Sequence, residues 1–461
     1  MDVLQHIRTR HIWMTGIAFH VLAAWFSVGY FHPDEHFQLL EYASYKLGNT
    51  PASNLPWEFH AQMRPSLQVF IAYVVAGVFQ FLDPFTTAFI LRLLSAALAL
   101  LTIYHAGKIF FINERHLRLY YLLALFLWFM PYQHVRFSSE NWSGFMILFA
   151  CIMAYKDRSL EYAGIFSGLA FCFRYQSAFF ALGLFLWIVF IQKAGIRQAL
   201  SFIGGFLLIF ATGVCSDYWL YDQWVFTSYK YFYINLVEGK ASYYGVEPFH
   251  YYILKIIESG IAPIGILLIA AFLWHLVKQP RSVFTWITLP FFILHCFIGH
   301  KELRFLFPLI YVVPFFMVTM LTAVPERGKF RKPLRVLFRI CIIINIIILP
   351  FASFKASNPR IALLKRFYHE KEKPVCLREN PYFDVQWFSF YFPKHIDPAS
   401  LQTVQTVDSV ASGRMLIIPS HAADTTLGTL IYRQVPGWAT KVNYGRWLER
   451  SNFWCVARKN Q

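Results

Sequence analysis

The sequence has little charge and lacks the patterns of several soluble enzyme classes. Only 15% of its 461 residues are charged, whereas a soluble domain carries about a quarter. It has no Walker-type or dinucleotide-binding fingerprint, no internal repeat and no low-complexity tract. The low charge argues against an ordinary soluble domain, and the missing fingerprints argue against a Walker-type nucleotide-binding enzyme and against a dinucleotide-binding enzyme.

Cysteine is also scarce, and the seven cysteines have no metal-type spacing. Five of them lie in apolar segments, where cysteine behaves as a small core residue. Cys376 and Cys455 lie in the polar C-terminal part, and they are able to form a disulfide only if that part is extracytoplasmic. The cysteines therefore predict no metal site and leave one disulfide open.

Apolar residues, by contrast, are abundant and grouped. The sequence is 57% hydrophobic and 19% aromatic, and the apolar residues come in blocks about as long as a bilayer crossing. This predicts an all-α polytopic membrane protein with about eleven to twelve membrane segments within residues 1–354. The apolar stretch after Arg8 and Arg10 has no small-residue cleavage site, so it predicts an uncleaved first helix.

The net charge of +17 would suggest nucleic acid in a soluble protein, but its placement indicates a membrane. Basic residues cluster in short loops, as the positive-inside rule expects of a cytoplasmic face. The largest cluster consists of Arg327, Lys329, Arg331, Lys332, Arg335 and Arg339. Nucleic acid is therefore not expected as a partner, and the lipid bilayer is.

The same rule places the loops 31–65, 131–140, 217–250 and 300–304 on the extracytoplasmic side. Counting crossings from the two ends gives results that differ by one between residues 66 and 118, so one segment there is predicted to be partial or re-entrant. Residues 355–461 have no bilayer-length apolar run and predict a small soluble extracytoplasmic α/β domain. Within it, "SGRMLIIPS" predicts a buried strand, and "PYFDVQWFSFYF" is strand-like.

The first extracytoplasmic loop begins with "HPDEHFQ". Pro33 suits the first turn of a helix, where the helix dipole favours the carboxylates of Asp34 and Glu35. A regular helix would then place Asp34, Gln38, Glu41 and Tyr45 on one face. Two interpretations follow from this spacing: a solvated amphipathic helix on the membrane surface, or a catalytic acid pair.

Two further loops combine charge with aromatic residues. The segment 217–252 is dense in Tyr and Trp, which indicates either an interfacial belt or a folded loop that binds a sugar. In "GHKELRF", residues 299–305, three basic side chains adjoin a membrane helix, which is costly unless they are paired or face water. They either extend to the interface with Glu302 as partner or bind an anion such as phosphate.

An acid pair and several cations suit the transfer of a sugar from a lipid phosphate. A carboxylate takes the proton of the incoming hydroxyl, and cations stabilise the departing phosphate. Lys and Arg can supply that stabilisation, so no cofactor and no metal are expected, although a cation bound by Asp34 and Glu35 remains an alternative.

Four motifs follow one another in order between residues 32 and 308: "HPDEHFQLLEYA", "WEFHAQMRPSLQ", "INLVEGKASYYGVEPFHYY" and "HKELRFLFP". Together they resemble glycosyltransferase family 22, the membrane mannosyltransferases that use dolichyl-phosphate mannose. The "HP" before Asp34 is most similar to the glycosylphosphatidylinositol (GPI) branch. Tyr175 departs from the family, which commonly has proline there, and the region of Asn141 matches only loosely.

The resemblance implies a GT-C fold and specific roles for residues of this chain. Asp34 is implied as the catalytic base, with Glu35 beside it as a second acid or an acceptor ligand. The expected contacts to the donor phosphate are His300, Lys301, Arg304, His250 and Tyr251. Those expected for the acceptor or the transferred sugar are Gln38, Glu41, Arg64, Arg136, Arg174, Asn235 and Tyr244.

The function predicted is inverting transfer of a mannose, or another hexose, from a polyprenyl- or dolichyl-phosphate donor to a glycan or glycolipid acceptor. The membrane is that of the endoplasmic reticulum, with a lumenal site, or a bacterial inner membrane, with a periplasmic site. The alternatives are a transporter or flippase of a lipid-linked sugar and a non-catalytic membrane scaffold. A transporter of this kind commonly has internal repeats, which the sequence lacks.

Overall fold

The computed structural model describes residues 7–156, 160–323, 331–369, 375–377, 388–392, 403–404, 410–420, 429–435, 441, 446 and 453–460. Contacts along the chain divide it into two compact units. The first comprises Met1–Phe26, Pro56–Val78 and Phe89–Lys355, and the second comprises Ser27–Leu55, Phe79–Ala88 and Ala356–Gln461. The segment that follows the first helix thus belongs to the same unit as the C-terminal residues.

Helices dominate the described chain. The α-helices are α1 (Thr9–Phe26), α2 (Pro33–Glu35), α3 (Glu41–Lys46), α4 (Trp57–His60), α5 (Leu67–Val78), α6 (Pro84–Phe110), α7 (Glu114–Phe126), α8 (Met130–His134), α9 (Ser139–Lys156), α10 (Glu161–Phe173), α11 (Ala178–Phe190), α12 (Ile196–Tyr221), α13 (Thr227–Phe232), α14 (Tyr251–Ser259), α15 (Ala262–Lys278), α16 (Val283–Phe297), α17 (Val313–Ala323), α18 (Arg331–Ser353) and α19 (Pro359–Phe367). Shorter 3₁₀ and π segments are His36–Leu40, Ala52–Asn54, Tyr175–Ser177, Tyr233–Val237, Lys240–Tyr244 and Leu303–Tyr311.

Three of the described helices, α6, α12 and α18, are long and apolar enough to cross a membrane. The pair Leu303–Tyr311 and α17, bent by 64°, makes a fourth if it counts as one span. Five shorter apolar helices accompany them, among them α5, whose 12 residues span only about 18 Å. The chain therefore has the helices of a membrane protein, and the larger number of eleven to twelve segments stays a prediction.

Small residues set the closest helix contacts in the first unit. Helix α10 packs along α12, and α11 packs against α16. A Cβ on Gly164 would lie 2.0 Å from the carbonyl oxygen of Phe202, and one on Gly183 would lie 2.3 Å from that of Trp286. Glycine at these positions lets the backbones approach, as is common between membrane helices.

The second unit contains a five-stranded sheet. Its strands are β1 (Val375–Leu377), β2 (Thr403–Val404), β3 (Met415–Pro419), β4 (Thr429–Arg433) and β5 (Trp454–Arg458). They lie in the order β2-β1-β3-β5-β4, with β1 parallel to both its neighbours and the other pairs antiparallel. The central strand β3 is buried along Met415–Ile418, because it has a neighbour on each side and apolar side chains throughout.

The residues that follow α1 join this unit by backbone hydrogen bonds. The N–H groups of Ser357 and Asn358 both donate to the carbonyl oxygen of Val28, at 2.9 and 3.1 Å. Gly29 has a positive φ of 84°, and a Cβ there would lie 2.7 Å from Cβ of Asn358. Glycine is thus required both for the turn and for the close approach of the two chain segments.

The strand predicted from "SGRMLIIPS" is confirmed as β3. In the aromatic segment 381–392, residues 381–387 lie outside the described residues, and residues 388–392 form turns rather than a strand. A strand would put residues three apart on opposite faces, whereas Phe388 and Tyr391 are both buried.

The open question of a disulfide between Cys376 and Cys455 is answered by the sheet order. The two residues lie on β1 and β5, with β3 between them, so their Cα atoms are about 10 Å apart. That exceeds the reach of a disulfide, about 7 Å. Cys455 is accordingly a free, buried thiol.

The contact between α10 and α12 yields a prediction with an adjacent control. A Cβ on Gly205 would lie 2.2 Å from the carbonyl oxygen of Glu161, whereas one on Gly204 would meet nothing within 4 Å. Gly205→Ala is therefore expected to destabilise the protein by about 1–3 kcal/mol, while Gly204→Ala leaves it unchanged or slightly more stable. Thermal unfolding of both variants in detergent tests this; equal melting temperatures would contradict it.

Candidate active site

Asp34 lies in a short helical turn, α2, that follows α1 in the chain. The His32 side chain caps this turn, because its Nδ1 accepts a hydrogen bond from the N–H of Asp34 at 3.3 Å. The same nitrogen lies 3.4 Å from a carboxylate oxygen of Asp34, whose side chain is 21% exposed. The carboxylate is thus held at the first turn of a helix and stays accessible to solvent.

Glu35 faces back into its own turn. Its side chain is buried, and Oε2 accepts a hydrogen bond from the N–H of Phe31 at 3.2 Å. The two neighbouring acids thus differ in exposure, with Asp34 the more accessible. In the described part of the chain, no three His, Cys, Asp or Glu side chains form a group that could hold a metal.

The helix does not continue regularly after Glu35. Residues His36–Leu40 form a π-helical turn before α3 resumes at Glu41. A π turn adds one residue to the repeat, so the single face predicted for Asp34, Gln38, Glu41 and Tyr45 is wrong. Gln38 and Glu41 are buried, which also contradicts the solvated amphipathic helix.

Glu41 lies in a buried polar network of the second unit. Its Oε1 is 2.8 Å from Nε2 of His36 and accepts the N–H of Phe390 at 3.0 Å. Its Oε2 accepts the hydroxyl of Thr50 at 2.8 Å. The ring of Tyr30 stacks on His36, and burial raises the pKa of Tyr30 to about 12, which keeps its phenol neutral.

In the first unit, two basic side chains of "GHKELRF", His300 and Arg304, are part of a chain of ion pairs. Nε2 of His300 lies 3.1 Å from Oε1 of Glu302. The guanidinium of Arg304 contacts Glu302 through two nitrogens, at 2.7 and 3.1 Å. The first interpretation of this motif names Glu302 as the partner of the basic residues, and the structure shows that pairing. The second, an anion site, needs the basic side chains to lie together, and His300 and Arg304 share Glu302.

The chain of ion pairs extends to residues far away in sequence. Nη1 of Arg304 lies 3.3 Å from Oε1 of Glu140, and Nη1 of Arg174 lies 2.8 Å from the same oxygen. The side chains of Arg174 and Glu140 are 5% and 6% exposed. Nε and Nη2 of Arg174 are also buried and have no acceptor among the described residues. We call the five residues Arg174, Glu140, Arg304, Glu302 and His300 the ion chain.

Lys301 does not belong to the ion chain. Its buried ammonium donates to the carbonyl oxygens of Glu247 and Ile298, at 2.7 and 2.6 Å, and approaches that of Gly299 at 3.5 Å. These contacts fasten the long loop 217–250 to the 299–305 segment. The N–H of Glu247, which donates to the carbonyl oxygen of Gly299 at 3.0 Å, adds a second fastening.

The predicted residues of the long loop differ in their contacts and exposure. Tyr244 lies beside His300, with 6.0 Å between ring centres, and accepts a hydrogen bond from Trp57 at 3.1 Å. Asn235 donates to the carbonyl oxygen of Tyr231 at 2.8 Å. His250 is exposed just before α14, whose first residue is Tyr251. The loop is thus folded, and many of its aromatic residues are exposed.

Arg64 and Arg136 have separate surroundings. Arg64 pairs with Glu58 at 2.7 Å, and its guanidinium lies over the ring of Tyr231 at 5.4 Å. Arg136 is buried and lies over the ring of Tyr132 at 5.8 Å. The carbonyl oxygen of Arg136 accepts a hydrogen bond from the Asn141 side chain at 2.8 Å.

Sequence reasoning overlooked two acids that organise this unit. Glu140 links two arginines, and Asp217 accepts the N–H and hydroxyl of Ser66 at 3.0 and 2.6 Å as well as the hydroxyl of Thr227. Asp217 thereby fixes Ser66, two positions after Arg64. The sequence did contain a signal for both acids, namely their position near the end of an apolar helix, where an unpaired carboxylate is costly.

Comparison with known sequences assigns the chain to a family. A profile of the Alg9-like mannosyltransferase family matches residues 11–393. The chain belongs to this family. The predicted family and the prediction of a glycosyltransferase are therefore confirmed.

Individual relatives of the mannosyltransferase are distant. GPI mannosyltransferase 3 of Debaryomyces hansenii is 25% identical over 395 residues, covering 80% of this chain and 67% of that protein. The probable Dol-P-Man:Man(7)GlcNAc(2)-PP-Dol alpha-1,6-mannosyltransferase of Schizosaccharomyces pombe is 28% identical over 226 residues, covering 45% of this chain and 39% of that protein. The chain thus spans about two thirds of the first relative and well under half of the second.

Among solved structures, the mannosyltransferase resembles ArnT from Cupriavidus metallidurans in its apo state. The TM-score is 0.51 at 11% sequence identity, and the match covers 98% of both chains. This likeness shows a shared fold, in agreement with the GT-C architecture that the motifs predict.

The ion chain gives a prediction about stability. Glu140→Gln leaves the charges of Arg174 and Arg304 without their shared carboxylate, which is expected to cost about 3–5 kcal/mol. Glu114→Gln is the control, because Glu114 is 61% exposed and lies 4.0 Å from Arg118, a surface pair contributing about 0–1 kcal/mol. Thermal unfolding in detergent measures both, and a Glu140→Gln variant as stable as the control would contradict the assignment.

Proposed function

We propose that this mannosyltransferase moves a mannose from a polyprenyl- or dolichyl-phosphate donor to a glycan or glycolipid acceptor, with inversion, on the extracytoplasmic face of its membrane. The observation that carries the proposal is the ion chain, which gathers two arginines and a histidine from motifs up to 130 positions apart. The names of the relatives support the donor and the acceptor class, since one is named for Dol-P-Man and another for GPI.

The ion chain suits a lipid phosphate for a reason of charge. With Lys301 beside it, three permanent cations accompany two carboxylates, so an added anion is electrostatically favourable. Buried donors without an acceptor cost free energy, and Arg174 has two such nitrogens. We therefore group Arg174 with His300 and Arg304 as contacts of the donor phosphate rather than of the acceptor.

The remaining predicted contacts have graded support. Lys301 fixes the loop junction in this structure, and its contact to the phosphate would require those hydrogen bonds to rearrange. His250 and Tyr251 stay proposed phosphate contacts near that junction. For the acceptor or the sugar, the proposed contacts are Gln38, Arg64, Arg136, Asn235 and Tyr244.

In the proposed reaction, Asp34 is the general base. Its carboxylate takes the proton from an acceptor hydroxyl, whose oxygen forms a bond to the anomeric carbon of the donor mannose. The bond between that carbon and the phosphate oxygen breaks at the same time, and its electron pair leaves with the lipid phosphate, which the cations stabilise. One displacement inverts the anomeric centre. Asp34 suits the role because it is the more accessible acid of its pair.

Asp34→Asn tests the proposed base. The variant is expected to fold like wild type and to transfer mannose from a polyprenyl-phosphate donor about 10²–10⁴ times more slowly. Asp222→Asn, at an exposed position with φ of 56° that asparagine tolerates, is the control and should keep full activity.

Formation of a new glycosidic bond, followed by mass spectrometry of the lipid fraction, is the measurement. Wild-type protein that moves the donor across the bilayer without forming that bond would overturn the proposal in favour of transport. An Asp34→Asn variant with wild-type rates would exclude Asp34 as the base.

A further inference from the structure

Glu41 is predicted to contact the acceptor, but both oxygens of its carboxylate accept hydrogen bonds from residues of the second unit. It is 1% exposed and is bonded to His36, the N–H of Phe390 and the hydroxyl of Thr50. That hydroxyl also lies 2.8 Å from the hydroxyl of Ser44. A carboxylate with these partners is fixed between three segments of the chain, which suits a structural role better than contact with a sugar.

The partner of Glu41 is equally fixed. His36 is fully buried, and its ring stacks between Tyr30 and Tyr391, with centres 5.3 and 5.4 Å away. Since Oε1 of Glu41 also accepts the N–H of Phe390, it acts as an acceptor toward both neighbours. Nε2 of His36 must therefore carry the proton and donate it in the 2.8 Å hydrogen bond.

The side chains of His36 and Glu41 are joined across the same π turn, His36–Leu40, that their backbone groups close. The N–H of Glu41 donates to the carbonyl oxygen of His36, as a π turn requires, and the side chains of these residues join across it. A π turn is rare and is frequently found at functional sites. A buried polar pair adds little net stability because both groups lose their hydration, but its hydrogen bond fixes one geometry of the backbone.

This turn begins immediately after the proposed base. The three-residue helix that holds Asp34 ends at Glu35, and His36 is its C-cap. The π turn therefore determines the direction in which the Asp34 turn is held. Its other anchor is the segment 388–391 of the C-terminal region, through the N–H of Phe390 and the ring of Tyr391.

We propose that His36 and Glu41 are positioning residues, which transmit the placement of the 388–391 segment to Asp34. The inference rests on the proposed function, because it gives the pair a role only if Asp34 acts in the reaction. It assigns to a C-terminal segment, distant in sequence from the acid motif, a part in setting the geometry of the base.

Two substitutions of nearly equal size separate this role from simple packing. In His36→Gln the amide nitrogen reaches the position of Nε2, whereas in His36→Asn it reaches only that of Nδ1. Both lose the stacked ring, so they share any loss of packing. We expect His36→Gln to keep kcat within a few-fold of wild type and His36→Asn to lower it by about 100-fold, with the donor KM unchanged.

Glu41→Leu provides the reciprocal test, since it keeps a side chain of similar volume but removes the oxygen that accepts from both His36 and Phe390. Its kcat should fall like that of His36→Asn. Ser44→Ala is the control, because it removes a hydroxyl beside Thr50 and leaves the His36–Glu41 pair intact. Hydrogen exchange of the peptide 33–46 should increase in Glu41→Leu and not in Ser44→Ala.

The outcomes distinguish the two proposals. If Asp34→Asn is inactive while His36→Asn keeps the kcat of His36→Gln, the positioning inference fails and the proposed base stands. If Asp34→Asn is fully active, Asp34 is not the base, and the positioning role that rests on it fails as well. If His36→Asn and His36→Gln lose the same amount of folded protein, with equal kcat per folded molecule, the pair is only structural and the inference is overturned.

Discussion

The buried carboxylate of Glu140, shared by Arg174 and Arg304, is the interaction on which the helical unit of this mannosyltransferase depends. Charged groups among membrane helices must be paired or face water, and here one acid pairs with two arginines from different segments. Arg304 also pairs with Glu302, and Glu302 pairs with His300. The carboxylate of Glu140 therefore helps to fix the positions of Arg174, Arg304 and His300.

That arrangement requires rigid neighbours, which the apolar helices supply. Glycines let α10 approach α12 and let α11 approach α16. Arg174 directly follows α10, at its junction with α11, so this packing also fixes the position of Arg174. Asp217 adds a second fixed point, since it binds Ser66 and Thr227. Close apolar packing thus fixes backbones, and a few buried acids fix the polar segments at their ends.

Sequence reasoning identified the membrane class, the family and the segments that carry the charged residues, because composition, block length and motif order are visible in one dimension. It could not reveal which cations meet, since Arg174 and Arg304 come together through Glu140 only when three helices are packed. It also missed the π turn at His36, because a π turn leaves no periodicity that distinguishes it from an α-helix. The burial of Glu41 depends on Phe390, nearly 350 positions away, and no local pattern records that contact.

The proposal that the ion chain receives the phosphate of a lipid-linked sugar is tested most directly by equilibrium binding. Purified wild-type protein, Arg174→Gln and Arg118→Gln would be titrated in detergent with a short-chain polyprenyl phosphate. We expect Arg174→Gln to weaken binding by about 10- to 100-fold, the equivalent of one charged hydrogen bond, and Arg118→Gln to bind like wild type. Equal affinities for the wild-type protein and Arg174→Gln would show that Arg174 does not bind the phosphate.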